Sequence, residues 1–204
     1  MAGAPAATTP VLLDTNAYLR LAKRVRPLLG VPFGQKRYVL TILPDVEAEV
    51  HASARLRFRY PWFEGDAELV AERLARRVRL SADEREQIDI AAGVLHGAVL
   101  QGVSRYMQGG GSPPGPTDCR VLAFGLVKGA IVATDDLGMH LLAAEFKLAV
   151  WHGWGLLAKL RSAKVASDDL VREIYAALEV NGDLPATWRV AKHGALAKVF
   201  GRGA

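Results

Sequence analysis

The chain has 204 residues, half of them hydrophobic, which is enough for one globular domain with a short appendage. Its single cysteine excludes an internal disulfide and a cysteine-based zinc site. The net charge of +5 favours polyanionic partners, although a basic surface that binds nothing is an open alternative. The N-terminus lacks a signal-peptide pattern and no apolar run reaches the ~18 residues of a membrane span. We therefore expect a cytoplasmic protein without a membrane partner.

Strands and helices alternate along most of the chain. The first nine residues (1–9), rich in Ala, Pro and Thr, predict a disordered tail. An apolar run at 11–13 predicts a buried strand that leads into a helix near 16–25. RYVLTIL at 37–43 predicts a second strand. Pro44 then opens a helix that continues through DVEAEVHASARLR.

The middle of the chain predicts three more helices and a third strand. Two helices cover 65–78 and 83–107, and the Gly- and Pro-rich segment 109–116 excludes regular structure. TDCRVLAFGLVKG predicts a capped helix that ends at Gly129, and AIVAT at 130–134 predicts the strand. The predicted inward-facing positions are Leu69, Leu74 and Val78 in the first helix, and Ile88, Ala91, Ala92, Leu95, Val99 and Val103 in the second.

The last quarter of the chain predicts a short fourth strand at 147–150 and then only helices. The alternation of strand and helix predicts an α/β fold of three layers, α/β/α, with a central, mostly parallel sheet. We predict an α/β domain over 10–155 and a helical C-terminal extension over 156–204.

Acidic residues occur where the chain leaves the predicted sheet. Asp14 directly follows the first strand, and Asp135 and Asp136 follow the third. Glu49 lies in the second turn of the helix after the second strand, and Asp118 opens the helix before the third. Because the carboxyl ends of parallel strands meet at one edge of the sheet, we expect these side chains to converge.

A cleft that holds several carboxylates needs a cation, since the negative charges repel one another. Hard oxygen ligands suit Mg²⁺ or Mn²⁺ better than zinc. Such a metal can activate water and neutralise the charge of a phosphodiester during in-line attack. The chemistry would then require no Ser, His or Cys nucleophile.

Each acid also has a simpler interpretation. Asp14 could only cap a helix, and Asp118 could only complement a helix dipole. Asp135 and Asp136 could be turn residues, and Glu49 could be a solvated helix residue. The metal-site hypothesis depends on their joint placement, which independent structural roles do not predict.

At these residues the chain resembles the PIN-domain family, from about residue 11 to residue 154. The family opens with a strand and Asp-Thr/Ser-Asn, and it places a Glu in the helix after the second strand. A later helix follows Gly-Pro-x-Asp, and a further strand ends in Thr-x-Asp. None of these motifs is specific alone. All four together, in this order and on the matching strands and helices, form a fairly strong signal. The matching residues are Asp14 with Thr15 and Asn16, Glu49, Asp118 in GPTDCRVLA, and Asp136 in IVATDD.

The resemblance implies a PIN-like fold and a metal-dependent endoribonuclease that uses Mg²⁺ or Mn²⁺. It also implies a homodimer, and many bacterial members are VapBC-type toxins that a small antitoxin protein holds inactive. It implies Asp14, Glu49, Asp118 and Asp136 as the catalytic acids and metal ligands, Asp135 as an assisting ligand, and Asn16 and Thr134 as polar residues that orient the first acid and the metal waters.

The chain departs from the common toxins by its length. The segment WGLLAKLRSAKV resembles a C-terminal extension in a less studied branch of PIN-like proteins, which weakens the toxin interpretation but not the assignment of the acids.

Three arginines, Arg55, Arg57 and Arg59, precede a cluster of aromatic residues and predict an RNA-binding surface. The alternative is a solvated helix face with core aromatics. Two other functions are open: a PIN-like protein with weak or no catalysis that binds RNA or protein, and a metal-dependent phosphatase.

Overall fold

The computed structural model describes residues 7–107 and 111–201. Residues 1–6 of the predicted tail and residues 109–110 of the Gly- and Pro-rich segment lie outside the described residues. Four parallel strands form one sheet in the order β2-β1-β3-β4, which confirms the predicted parallel sheet. The strands are β1 (Thr9–Leu13), β2 (Tyr38–Thr41), β3 (Ile131–Ala133) and β4 (Val150–Trp151).

Helices connect the strands and form the whole C-terminal part of the described chain. None of the helices in the described ranges is both long and apolar enough to cross a membrane. The helices of the first half are α1 (Thr15–Leu21), α2 (Pro44–Ala52), α3 (Ala54–Arg59), α4 (Trp62–Gly65), α5 (Ala67–Arg76), α6 (Ala82–Gln101) and α7 (Val103–Tyr106). Those of the second half are α8 (Pro116–Lys128), α9 (Leu137–Glu145), α10 (Gly153–Ser162), α11 (Asp168–Val180), α12 (Ala186–His193) and α13 (Ala197–Phe200).

Helices cover both faces of the sheet. Val11 and Leu13 of β1 pack into one core with α1, α2, α5 and the C-terminal helices α10 to α12. Leu12 between them packs into a second core with α6, α8 and α9. Successive residues of a strand point to opposite faces of the sheet. All three side chains are fully buried because helices cover both of these faces. The three-layer α/β/α class is therefore confirmed.

Capping residues determine several helix boundaries. The predicted helix from Pro44 does not continue through residue 57, because Ser53 is extended and its side chain accepts a hydrogen bond from the Leu56 amide. Serine favours this cap over a helix interior, so α2 ends and α3 begins there. The predicted end of α8 at Gly129 is confirmed: this residue has a left-handed φ of 60°, which glycine adopts without strain.

Two predicted inward positions are wrong. Leu74 is 59% exposed, because Arg73 is buried on α5 and its guanidinium lies 3.8 Å from the centre of the Phe63 ring. Val103 is 39% exposed, because α6 ends at Gln101 and the break at Gly102 changes the helical phase.

The C-terminal extension packs directly on the sheet's first core. Leu157, Ile174, Tyr175 and Trp188 belong to the same buried cluster as Val11. The prediction of helices without a further strand after residue 154 is confirmed for the described residues.

Candidate carboxylate site

Asp14 lies at the end of β1 and is 5% exposed. Its amide donates to the Ala133 carbonyl at 3.1 Å, and its Oδ1 accepts from the Ala17 amide at 2.5 Å, which caps α1. Burial raises the pKa of this carboxyl from 3.8 to about 7. Hydrogen bonds from the Thr134 hydroxyl and the Ala17 amide lower the pKa, and the nearby charge of Asp135 raises it.

Asp118 and Asp136 begin the next two helices at the same edge of the sheet. Asp118 Oδ2 accepts from the Gly115 amide at 2.8 Å, and Asp136 Oδ1 accepts from the Met139 amide at 2.8 Å. Burial raises the pKa of Asp118 to about 6, and the charges of Asp136 and Glu49 add to this shift. Asp136 and Glu49 therefore lie close enough to Asp118 for their charges to disfavour its ionised form.

Glu49 is tied to the first turn of α1. The Thr15 hydroxyl donates to Glu49 Oε2 at 2.5 Å, across the gap between α1 and α2. The sequence reasoning assigned no role to Thr15, although it lies within the Asp-Thr-Asn motif. Asn16, for which an orienting role was predicted, is exposed and makes no hydrogen bond to these acids within the described part of the chain.

Thr134 is fully buried at the end of β3. Its hydroxyl oxygen accepts from the Asp136 amide at 3.0 Å. The hydroxyl hydrogen has two acceptors within reach, the Asp14 carboxylate and the Met139 sulfur, and the carboxylate is the stronger. Thr134 thus lies between the first and fourth acids, and its supporting role stays a prediction.

Asp135 points away from this group. Its Oδ2 accepts from Trp188 Nε1 at 2.8 Å and pairs with Arg20 at 3.1 Å, and its Oδ1 accepts from the Gly153 amide at 3.0 Å. Both oxygens are engaged and the side chain is almost fully buried. These contacts assign Asp135 to the junction with the C-terminal extension rather than to metal binding, because two donors and a cation already satisfy its charge.

The donor set suits a hard divalent cation, but it is not assembled for one. Among residues 7–107 and 111–201, no group of three or more Asp, Glu, His or Cys side chains is positioned to hold an ion as it stands. Within those ranges, Asp118 Oδ1 and Asp136 Oδ2 make no hydrogen bond, so each helix-capping acid keeps one free oxygen. Burial is the main cause of the raised pKa values of Asp14 and Asp118, and a bound cation would stabilise their ionised forms. The side chains would have to move to bring their oxygens onto one ion.

The three predicted substrate-binding arginines lie on α3 but make different contacts. Arg55 is exposed, and Arg57 donates to the His51 carbonyl in the preceding helix, α2. Arg59 instead donates to the Asn181 carbonyl at 3.0 Å and lies 3.6 Å from Asp183.

We expect Thr15→Val to destabilise the protein by about 1 kcal/mol, because it removes a hydrogen bond to a charged group without changing the side-chain shape. It should also weaken Mn²⁺ binding by about 10-fold, since Glu49 loses the group that orients it. Urea unfolding and calorimetric titration with Mn²⁺ measure the two effects. Thr15→Ser, which keeps the hydroxyl, is the control. Equal Mn²⁺ affinity of the Val and Ser variants would argue against an orienting role for Thr15.

Comparison with known proteins gives no family assignment. No family model matches the chain, and no curated protein sequence matches it. Among solved structures, VapBC-1 from nontypeable Haemophilus influenzae aligns at a TM-score of 0.44 and 20% identity, over 72% of this chain and 99% of that chain. FitAcB from Neisseria gonorrhoeae aligns at 0.42 and 14%, over 71% and 98% of the two chains. VapBC2 from Rickettsia felis, bound to a DNA fragment from their promoter, aligns at 0.43 and 16%, over 71% and 98%.

These similarities are too low to carry a conclusion about family or function. The α/β class rests instead on the sheet order and the two cores described above.

Proposed function

We propose that the chain is a metal-dependent endoribonuclease of the PIN-like type, in which Asp14, Glu49, Asp118 and Asp136 hold Mg²⁺ or Mn²⁺. One observation carries the proposal: acids cap α1 and α9 and a third lies in the first turn of α8, all at the same edge of a parallel sheet, and the fourth acid is tied to that edge through Thr15. The capping role alone accounts for each acid separately. It does not account for the placement of Asp118 close enough to Asp136 and Glu49 for their charges to raise its pKa.

A divalent ion bound there would supply Lewis acidity and an activated water for phosphodiester hydrolysis. The chain's own residues prepare the cleft. Asp14 is held in a fixed orientation by the Ala17 amide and the Thr134 hydroxyl. The N-termini of α8 and α9 face the same edge, and their partial positive charge favours the anionic phosphodiester.

The resemblance to the PIN-domain family also supports three proposals about partners. RNA would be the substrate, the chain would form a homodimer, and a small antitoxin protein would regulate it. The net charge of +5 agrees with a polyanionic substrate.

A labelled RNA pool incubated with Mn²⁺ or with a chelator tests the activity. We expect cleavage only with the metal, and a loss of about 100-fold or more in Asp118→Asn, because a ligand matters at least as much as the groups that support it. The Asn carbonyl can still accept the hydrogen bond from the Gly115 amide, so the helix start should survive. Asp169→Asn is the matched control, since Asp169 is an exposed acid in the first turn of α11.

Cleavage that continues in the chelator, or that is unchanged in Asp118→Asn, would contradict the proposal. A PIN-like protein that binds RNA without cutting it is the second candidate, and the lack of a ready-made ion-holding group among the described residues favours it. RNA binding that survives both the chelator and Asp14→Asn, without cleavage under any condition, would support this candidate.

A further inference from the structure

A basic pocket of about 410 Å³ lies beside the carboxylate edge, between α1, the α3–α4 turn and the C-terminal extension. Its volume falls within the range of small-molecule sites. Asp183 is the only acid among the described residues that line it. The cationic and aromatic lining residues are Arg20, Lys23, Arg24, Arg59, Tyr60 and Trp62.

The positive charges of the pocket exceed the negative charges that face it. Arg20 is held between Asp135 at 3.1 Å and Asp183 at 3.2 Å, and Arg59 lies 3.6 Å from the same Asp183. Arg24 Nε is buried without a hydrogen bond, and it reaches only Glu173, an exposed acid 3.5 Å away. Lys23 forms no ion pair within the described ranges. Three acids, Asp135, Asp183 and Glu173, pair with three of these four cations, so one positive charge is left over and the pocket favours an anionic ligand.

The aromatic side chains give the pocket a second kind of contact. The Tyr60 hydroxyl donates to Asp183 Oδ2 at 2.9 Å, which fixes the ring, and the Arg59 guanidinium lies 5.7 Å from its centre. Trp62 is half-buried and meets Tyr60 edge to face, with centroids 6.1 Å apart. Proteins that bind single-stranded nucleic acid combine aromatic rings with cations. A base stacks on the ring while its phosphate pairs with Arg or Lys.

Arg20 connects the pocket to the candidate carboxylate site. One of its terminal nitrogens pairs with Asp183 in the pocket, and the other pairs with Asp135, the neighbour of Asp136 in sequence. Its charge also reaches Asp14, where it lowers the pKa of the carboxyl. Arg20 therefore links the charge of a ligand in the pocket to that of Asp14.

We propose that this pocket binds a nucleotide phosphate, with Lys23, Arg24 and Arg59 on the phosphate and Trp62 under the base. The ligand is a phosphate-bearing terminal nucleotide of an RNA strand or a free mononucleotide. The choice of RNA rests on the proposed nuclease function, but the binding itself needs neither metal nor cleavage.

Binding to the full chain is measured in chelator, so that a missing nuclease activity cannot affect the result. The ligands are a short RNA with a terminal phosphate, the same RNA without it, AMP, and inorganic phosphate. The double variant Lys23→Gln with Arg24→Gln removes two cations at the pocket. The matched control is Arg189→Gln with Lys198→Gln, which removes the same charge from exposed positions of α12 and α13.

We expect the terminal phosphate to strengthen RNA binding by about 10-fold or more, since a charge-assisted hydrogen bond contributes that much. The pocket variant should lose this gain and the control should keep it, with unfolding temperatures unchanged in both. Binding of AMP as tight as that of the phosphorylated strand would assign a free nucleotide, and weaker AMP binding would assign a strand end. Equal binding of both RNA strands with no AMP binding, or equal losses in both double variants, would overturn the proposal.

Discussion

Asp14→Asn is expected to abolish RNA cleavage and, at the same time, to make the metal-free protein more stable. Asparagine caps a helix about as well as aspartate, so its side-chain oxygen can still accept from the Ala17 amide. What the substitution removes is a negative charge that is almost entirely buried. If Asp14 only capped α1, the substitution would change neither the cleavage activity nor the stability. A loss of activity together with a gain in stability therefore distinguishes metal binding from helix capping.

The stability effect depends on pH in a defined direction. The pKa of Asp14 is about 7 in the folded chain and 3.8 in its ordinary state. Between these values the unfolded chain has released the proton while the folded chain keeps it. The metal-free wild type should therefore lose up to about 4 kcal/mol of stability as the pH rises from about 4 to about 7.

Urea unfolding in chelator at a series of pH values measures this loss, and Asp14→Asn should lack the Asp14 share of it. Parallel stability curves for the two proteins, or a less stable variant above neutral pH, would contradict the assignment. Saturating Mn²⁺ should then stabilise the wild type and not the variant, because only the ionised carboxylate binds the ion.

Trp188→Ala should cost about 3–5 kcal/mol, the range for an aromatic side chain removed from a core. Trp188 is fully buried, its ring centre lies 5.2 Å from that of Tyr175, and its Nε1 donates to Asp135 at 2.8 Å. The substitution would open a cavity and also remove a donor from the buried Asp135 carboxylate. We expect the upper end of the range, measured by urea unfolding.

Trp188→Phe is the control, because it keeps most of the volume and loses only the hydrogen bond. It should cost about 1–3 kcal/mol, the usual penalty for an unsatisfied buried group. A second, separate unfolding transition in Trp188→Ala, with the sheet unaffected, would indicate that the extension folds independently. A single transition at lower urea is the expected outcome, since the extension and the sheet share one core.

The sequence by itself determined the first three strands, the parallel sheet and the positions of the acids along the chain, whereas the fourth strand, predicted at 147–150, lies at Val150–Trp151. This was possible because these features depend on short-range signals. Apolar runs mark the strands, Gly129 ends a helix, and the acids directly follow a strand or lie in the first turn of a helix. Asp14, Asp118 and Asp136 each follow a strand or start a helix, and such positions can be recognised without knowing what lies across the fold. The prediction of one uninterrupted helix from Pro44 was wrong at Ser53, because the Ser53 side chain caps the next helix instead of continuing the first.

Only the tertiary structure decided which side chains meet. Thr15 reaches Glu49 on another helix, Asp135 faces Trp188 from the extension, and Arg59 reaches Asp183 far along the chain. No local pattern encodes these contacts, because their energies depend on burial and on which charges are left to be compensated. Tertiary contacts also separate two adjacent aspartates. Asp135 pairs with Arg20 and Trp188 at the junction with the extension, while Asp136 stays at the edge of the sheet, in the candidate metal site.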